Sequence, residues 1–168
     1  TANQYWTQSE AGMGTLTVDS GAGSRMVTGG GWIPDAQSAN GKGNFGFTVN
    51  YQKKANPKGN FMYLFRGTDG YNYLIKSNSW QDGGLSFTST NTAFFTGRCT
   101  IQKINRATGL VEASWGNYRF TVEIKDDGQR TPKADTFALK VWDPTSGTIW
   151  KQIGPSILGG GNIVVHSK

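Results

Sequence analysis

One cysteine and one histidine occur in 168 residues. A lone Cys99 excludes an internal disulfide, so no cystine framework staples this fold. A zinc site built on Cys and His lacks its donors for the same reason. His166 ends an alternating run with no nucleophile motif beside it, and no G-x-S-x-G elbow occurs, so a nucleophilic triad is not expected. GAGSRM and TGGGWI are glycine-rich, but no helix pattern follows either, which removes the Walker and dinucleotide fingerprints. No apolar run approaches the ~18 residues of a membrane helix, and no signal-peptide pattern is present. The sequence opens on Thr rather than Met, and the chain is expected to be a processed or excised piece of something longer.

Acidic residues are also scarce, 11 against 17 basic ones, giving a formal charge of +6. The bases are scattered, with Lys53–Lys54 the single adjacent pair, so no polybasic arm exists and nucleic acid is disfavoured as a partner. Prolines number five and glycines 24, which implies many turns and bulges and few rigid linkers. Only 36% of residues are hydrophobic while 12% are aromatic, so the core must lean on Trp, Tyr and Phe.

What is present is alternation. In GNFGFTVNYQ, Phe45, Phe47, Val49 and Tyr51 point one way, opposite Gly46, Thr48 and Asn50. In NYRFTVEIKD, Tyr118, Phe120, Val122 and Ile124 share a face, opposite Arg119, Thr121, Glu123 and Lys125. Further runs, among them RMVTGGGWI, NFMYLFR, YNYLIKS, RCTIQKI, TFALKVW, TIWKQI and NIVVHS, are bounded by Gly, Asn, Asp, Pro or Ser. DPTSGT reads as a hairpin turn, with Pro144 suited to an early position and Gly147 to a left-handed one. No sustained 3.6-residue period appears, and at most one helical turn fits between Pro34 and Asn40.

The phrase NFGFTVNYQ returns as NYRFTVEIK, with Asn, Phe, Thr and Val in register, and FMYLF at Phe61 is echoed by FALKV at Phe137. A third echo joins TGGGWI to LGGGNIVVH. Either antiparallel meanders of similar length converge on similar patterns, or an ancient duplication is visible. Both readings lead to one all-β domain: a single antiparallel β-barrel or β-sandwich built from two similar meanders, its first and last strands adjacent so that edges are covered. Residues 1–24 are expected to form an N-terminal strand or linker joined to a single β domain over 25–168.

The order GGGWI, GKGNFGFTVNYQ, the strand from Phe95 to Ile101, NYRFTVEIKDDG, ADTFALKVWD and LGGGNIVVH resembles the post-COAP-1 type domain over roughly Met26 to His166. That is a β domain near the C-terminus of large exported bacterial and archaeal surface proteins. The run CTIQKINRATGLVEASW is longer than the turn that family carries there. The resemblance implies an extracellular or cell-surface place and a multidomain parent, and carries no catalytic residue to this chain.

For chemistry, most of the carboxylates lie in turn contexts such as TDGY, DDGQ and WDPT, where Asp is first a turn former; a glycosidase pair is the weakest of the readings. Asp126, Asp127 and Asp135 gather oxygens suited to a structural Ca²⁺, with a solvated hairpin tip as the alternative. No other cofactor is expected. The aromatic surplus is the main functional signal. Trp80 and Trp115 stand at strand ends beside polar residues, and Tyr71 and Tyr73 flank Asn72, the arrangement that stacking on sugar faces requires. Asn72, Asn78, Gln81, Asp82 and Asn117 are candidate hydroxyl readers, and Arg66, Lys76 and Arg119 lean the site toward acidic polymers. The expected function is a non-catalytic accessory domain of an exported protein, binding carbohydrate or another extracellular or cell-surface polymer. The rivals are a purely structural or oligomerising C-terminal module, and a small glycan-active enzyme.

Overall fold

The computed structural model describes residues 25–51, 56–128 and 134–166, and the backbone alone over 81–83. The segment expected to form an N-terminal strand or linker, 1–24, lies outside the described residues. Within them there are nine strands and no helix: β1 (Met26–Pro34), β2 (Lys42–Asn50), β3 (Lys58–Arg66), β4 (Tyr71–Phe87), β5 (Thr92–Asn105), β6 (Val111–Lys125), β7 (Thr136–Trp142), β8 (Ile149–Ile157) and β9 (Gly160–His166). All neighbours run antiparallel in one sheet of order β9-β1-β2-β3-β4-β5-β6-β7-β8. The last strand therefore lies beside the first described one, as the sequence pattern anticipates. Between Pro34 and Asn40 the chain makes turns, held by Ser38 N–H donating to Asp35 O at 3.0 Å and Asp35 N–H to Gly41 O at 2.9 Å, without a helical turn.

Alternation decides which face is buried. Phe45, Phe47 and Val49 of β2 point inward, as do Phe120, Val122 and Ile124 of β6 and Phe137, Leu139 and Val141 of β7. Tyr51 and Tyr118, at the ends of these runs, are only partly covered. The sheet curls until the two halves meet ring to ring. Phe45 stacks on Phe137 at 4.2 Å between centroids, and Phe61 on Phe120 at 5.0 Å. So β2 faces β7 while β3 faces β6, a reciprocal pairing of the two repeated meanders around one aromatic core.

The glycine echo has a physical cause. β1 and β9 pair with Gly161 opposite Gly31 and Asn162 opposite Gly30. At Gly31 (φ 156°) and Gly161 (φ 104°) an added Cβ would drive into the backbone of the partner strand. Gly31 and Gly161 are therefore glycine because the strands approach too closely there for any side chain.

Closing the curl is left to polar groups. The chain leaves β8 and enters β9 through Leu158 and Gly159. Leu158 N–H donates to Asp135 O at 3.0 Å, and Gly159 N–H donates to Trp32 O at 2.8 Å, so consecutive residues bond to the two sides of the seam. The outer edge of β9 is met by carboxylates: Asp135 Oδ2 accepts from Ile163 N–H at 2.9 Å, and Asp126 Oδ2 from Val165 N–H at 3.1 Å. At the other end of the seam Lys151 of β8 forms an ion pair with Asp35, 2.9 Å, both side chains 1% exposed. Tyr63 donates to Asp35 Oδ2 at 2.7 Å and Gln37 Oε1 accepts from Lys151 at 2.7 Å. Burial pushes the Lys151 ammonium below its ordinary value, opposed by the hydrogen bond and charge of Asp35.

Candidate ligand-binding surface

Because β2, β3 and β4 bury their odd-numbered residues, their even-numbered ones form the outer face. Register places them in rungs. Arg66 lies opposite Asn72; Asn44 opposite Leu64, which lies opposite Leu74; Gly46 opposite Met62, which lies opposite Lys76; and Thr48 opposite Asn60. Two shallow clefts occupy this face. One, of about 420 Å³, is lined by Asn40, Asn44, Leu64, Arg66, Asn72 and Arg106 among others. Its neighbour, of about 430 Å³, is lined by Gly46, Thr48, Asn60, Met62 and Lys76 among others. They meet at adjacent rungs, Asn44–Leu64 against Gly46–Met62. From Asn60 to Arg66 the strip runs six residues along β3, roughly 20 Å.

The chemistry of this strip is amides, hydroxyls, three cations and the apolar side chains of Phe47, Phe61, Met62, Leu64 and Ile104, with no carboxylate lining either cleft. Arg106 is anchored: its Nη1 donates to Gly67 O and Tyr71 O, both at 2.9 Å, which fixes the β3–β4 turn beneath it. Arg66 is exposed, and among the described residues its guanidinium has no internal partner. Met62 is 46% exposed on the open sheet surface.

The structure divides the residues singled out from sequence. Arg66, Asn72, Lys76 and Asn78 share the outer face, with Asn78 donating to Thr100 Oγ1 at 2.5 Å. Tyr71 and Tyr73 lie on the opposite side of β4 from Asn72. Tyr73 stacks on Phe65 at 5.2 Å and packs against Trp150, so its ring completes the core rim. Tyr71 is covered by Lys103, 4.2 Å from its ring centroid, and its hydroxyl donates to Glu112 at 2.9 Å. The expectation of an exposed Trp80 is corrected. Its ring is 8% exposed, meets Phe95 and Phe120 edge-on, and donates its indole N–H to Gly59 O at 3.1 Å. Two register shifts in β4, between Ser77 and Ser79 and between Ser79 and Gly84, turn that side chain inward.

Trp115 is 40% exposed, on a part of β6 that pairs with β5 alone, because β7 reaches only as far as Arg119. It sits across from Ile101, away from the clefts. Asn117 occupies the adjoining bulge at φ 60°, a left-handed conformation that Asn tolerates. Arg119 pairs in register with Trp142 on the far half of the sheet. The side chains of Gln81 and Asp82 lie outside the described residues.

Of the aspartates expected to gather Ca²⁺, Asp126 and Asp135 hold backbone N–H groups. Asp135 accepts from Asp127 N–H at 2.7 Å and from Ile163 N–H, while Asp126 accepts from Gly128 N–H at 2.7 Å and from Val165 N–H. Their oxygens are occupied by backbone donors, and no group of three acidic, His or Cys side chains suited to a metal occurs among the described residues.

Below the turns, hydrogen bonding holds two carboxylates in their charged form. A bond from Asn105, then one from Tyr71, keeps Glu112 below the usual carboxylate range, and a bond from Tyr73 does the same for Asp69. Burial, with Asp69 second, pushes the Tyr73 hydroxyl up to about 12. These are neither raised acids nor freed bases. The polar residues of the strip that sequence reasoning passed over, Asn44 and Asn60, belong to an alternating outer face whose amide content was its only signal.

Comparison of the chain with protein-family models, with curated proteins and with solved structures returned no match.

Proposed function

We propose that this domain is a non-catalytic binding module of an exported protein, and that it takes an extended acidic polysaccharide across the outer face of β2, β3 and β4. One observation carries the reading: the two abutting clefts form a strip of amides, hydroxyls and cations whose lining contains no carboxylate. Amides and hydroxyls read sugar hydroxyls, Leu64 and Met62 give the apolar patches on which a pyranose face rests, and Arg66 and Lys76 meet uronate or sulfate groups. An open strip suits a polymer running past, where a deep pocket would suit a small ligand. The resemblance to exported surface domains agrees with an extracellular polymer as partner.

Titration against polygalacturonate, alginate and a neutral glucan tests this. Affinity for an acidic polymer should fall as salt screens the exposed cations. Arg66→Ala with Lys76→Ala should weaken it by about tenfold, equal to ~1.4 kcal/mol. A folded domain that retains neither acidic polymer, or a double variant that binds unchanged, would turn the reading to the purely structural module.

A further inference from the structure

The repeat that builds the core also builds a second outer face, and there the side chains differ. Thr121 of β6 stands where Thr48 stands in the first half. In sequence, Ala138, Lys140 and Trp142 of β7 align with Met62, Leu64 and Arg66 of β3, but the register differs: Thr121 pairs with Lys140, whereas Thr48 pairs with Asn60. Ala138, small and opposite Glu123, leaves a hollow on this face that Trp142 also lines. The structure has a cleft of about 370 Å³ there, lined by Thr121, Glu123, Lys140, Trp142, Gln152 and Pro155 among others. Because β2 faces β7 and β3 faces β6 across the core, this cleft lies on the other side of the domain from the cationic strip.

We infer that this cleft is a separate site for a neutral sugar, stacked on Trp142 and read through its hydroxyls by Glu123 and Gln152. Trp142 sits on the outer phase of its strand, while Phe137, Leu139 and Val141 fill the core, so its ring is not needed to complete that core. Glu123 and Gln152 are both exposed, and neither uses its side chain in a hydrogen bond to another described residue, so a carboxylate and an amide are available at the rim. Lys140 lies 5.3 Å from the ring centroid. An exposed cation–π contact is weak, and a long lysine can swing aside for a sugar face. Charge separates this site from the first. Glu123 repels a uronate here, whereas the cationic strip has no carboxylate to do so.

The test uses the whole chain and four soluble neutral probes, cellohexaose, xylohexaose, mannohexaose and maltohexaose, by calorimetry and ligand-observed NMR. At least one probe is expected to bind, with little dependence on salt. Trp142→Ala should weaken it by about tenfold or more, since removing an anchoring ring from the centre of a site is costly. Gln152→Ala, an exposed change that leaves the core untouched, should weaken it by about threefold through one lost hydrogen bond. Arg66→Ala with Lys76→Ala should leave it unchanged, so failure of the acidic-polymer reading and failure of this one are told apart. If no probe binds, the inference is overturned. It is equally overturned if Gln152→Ala and Trp142→Ala bind as the parent does; should Trp142→Ala fail to fold, Gln152→Ala and Glu123→Gln decide.

Discussion

Lys151 and Asp35, 116 residues apart in sequence, form a buried ion pair at the seam where the sheet curls back on itself. The lysine comes from the last strand in sheet order, β8, and the aspartate from the turn that ends β1. Phe65 lies under the ammonium at 3.9 Å, and Tyr63 and Gln37 complete the hydrogen bonding. Taking both charges out of water is expensive, and good geometry only roughly balances that cost. The pair is therefore better understood as a registration device: a curled sheet whose ends do not share a full ladder needs a specific contact to fix where they meet.

That reading makes a coupled prediction. Lys151→Met leaves Asp35 buried and uncompensated and should cost about 3–5 kcal/mol, because an orphaned buried charge is strongly destabilising. Asp35→Asn should cost a similar amount by orphaning the ammonium. The double variant Lys151→Met, Asp35→Asn should recover much of the loss, since Asn still accepts from Tyr63. Urea unfolding of the three variants measures this. Additive single losses would show that the two groups act independently and that the registration argument is wrong.

The aromatic core gives a second prediction. Phe61 and Phe120 stack at 5.0 Å with both rings almost fully buried, and they join the two repeated halves. Phe120→Ala should cost about 3–5 kcal/mol, as should Phe47→Ala one strand away. In a double-mutant cycle, Phe61 and Phe120 should show a coupling of about 0.5–1.5 kcal/mol beyond area burial. A coupling near zero, measured by chemical unfolding, would mean that the halves pack without the reciprocal contact described above.

Much of this fold is legible in the sequence, and what is not has identifiable causes. Period-two alternation fixes the inward faces of β2, β6 and β7, and the glycine echo foretells the pairing of β1 with β9. Trp80 defeats the same logic because two bulges in β4 reset its phase, and a bulge has no reliable signature in one sequence. Asp126 and Asp135 read as a hairpin tip; that they reach β9 depends on the curl, which no local pattern encodes. Lys151 was invisible as a core residue for the same reason, since its partner lies at the far end of the chain. For binding, the cations Arg66 and Lys76 stand out in sequence, whereas Asn44 and Asn60 become meaningful only once register sets them on one face. Tyr71 and Tyr73, adjacent in sequence to Asn72, fall on the other side of the strand from it.

The last prediction concerns alkaline pH. Cys99 is fully buried, and burial pushes its thiol from the ordinary 9.0 up to about 12. Burial, helped by its hydrogen bond to Asp35, also drives the Tyr63 hydroxyl well above its usual 10.0. Both groups keep their protons in the folded state at a pH where the unfolded chain loses them. Through these two groups the native state binds more protons than the unfolded one, so their contribution to stability falls as pH rises, while the lowered Lys151 ammonium acts in the opposite direction. The fall should begin near pH 9 with the thiol and steepen above 10 with the phenol, each fully engaged group adding about 1.4 kcal/mol per pH unit. Urea midpoints at pH 8, 9, 10 and 11 give the slope, and Cys99→Ala and Tyr63→Phe should each flatten its own portion. The same burial predicts that a thiol reagent labels Cys99 at pH 8 only as fast as the protein opens. Prompt labelling of the native protein, or Cys99→Ala and Tyr63→Phe variants that leave the pH slope unchanged, would contradict the buried placement of both side chains.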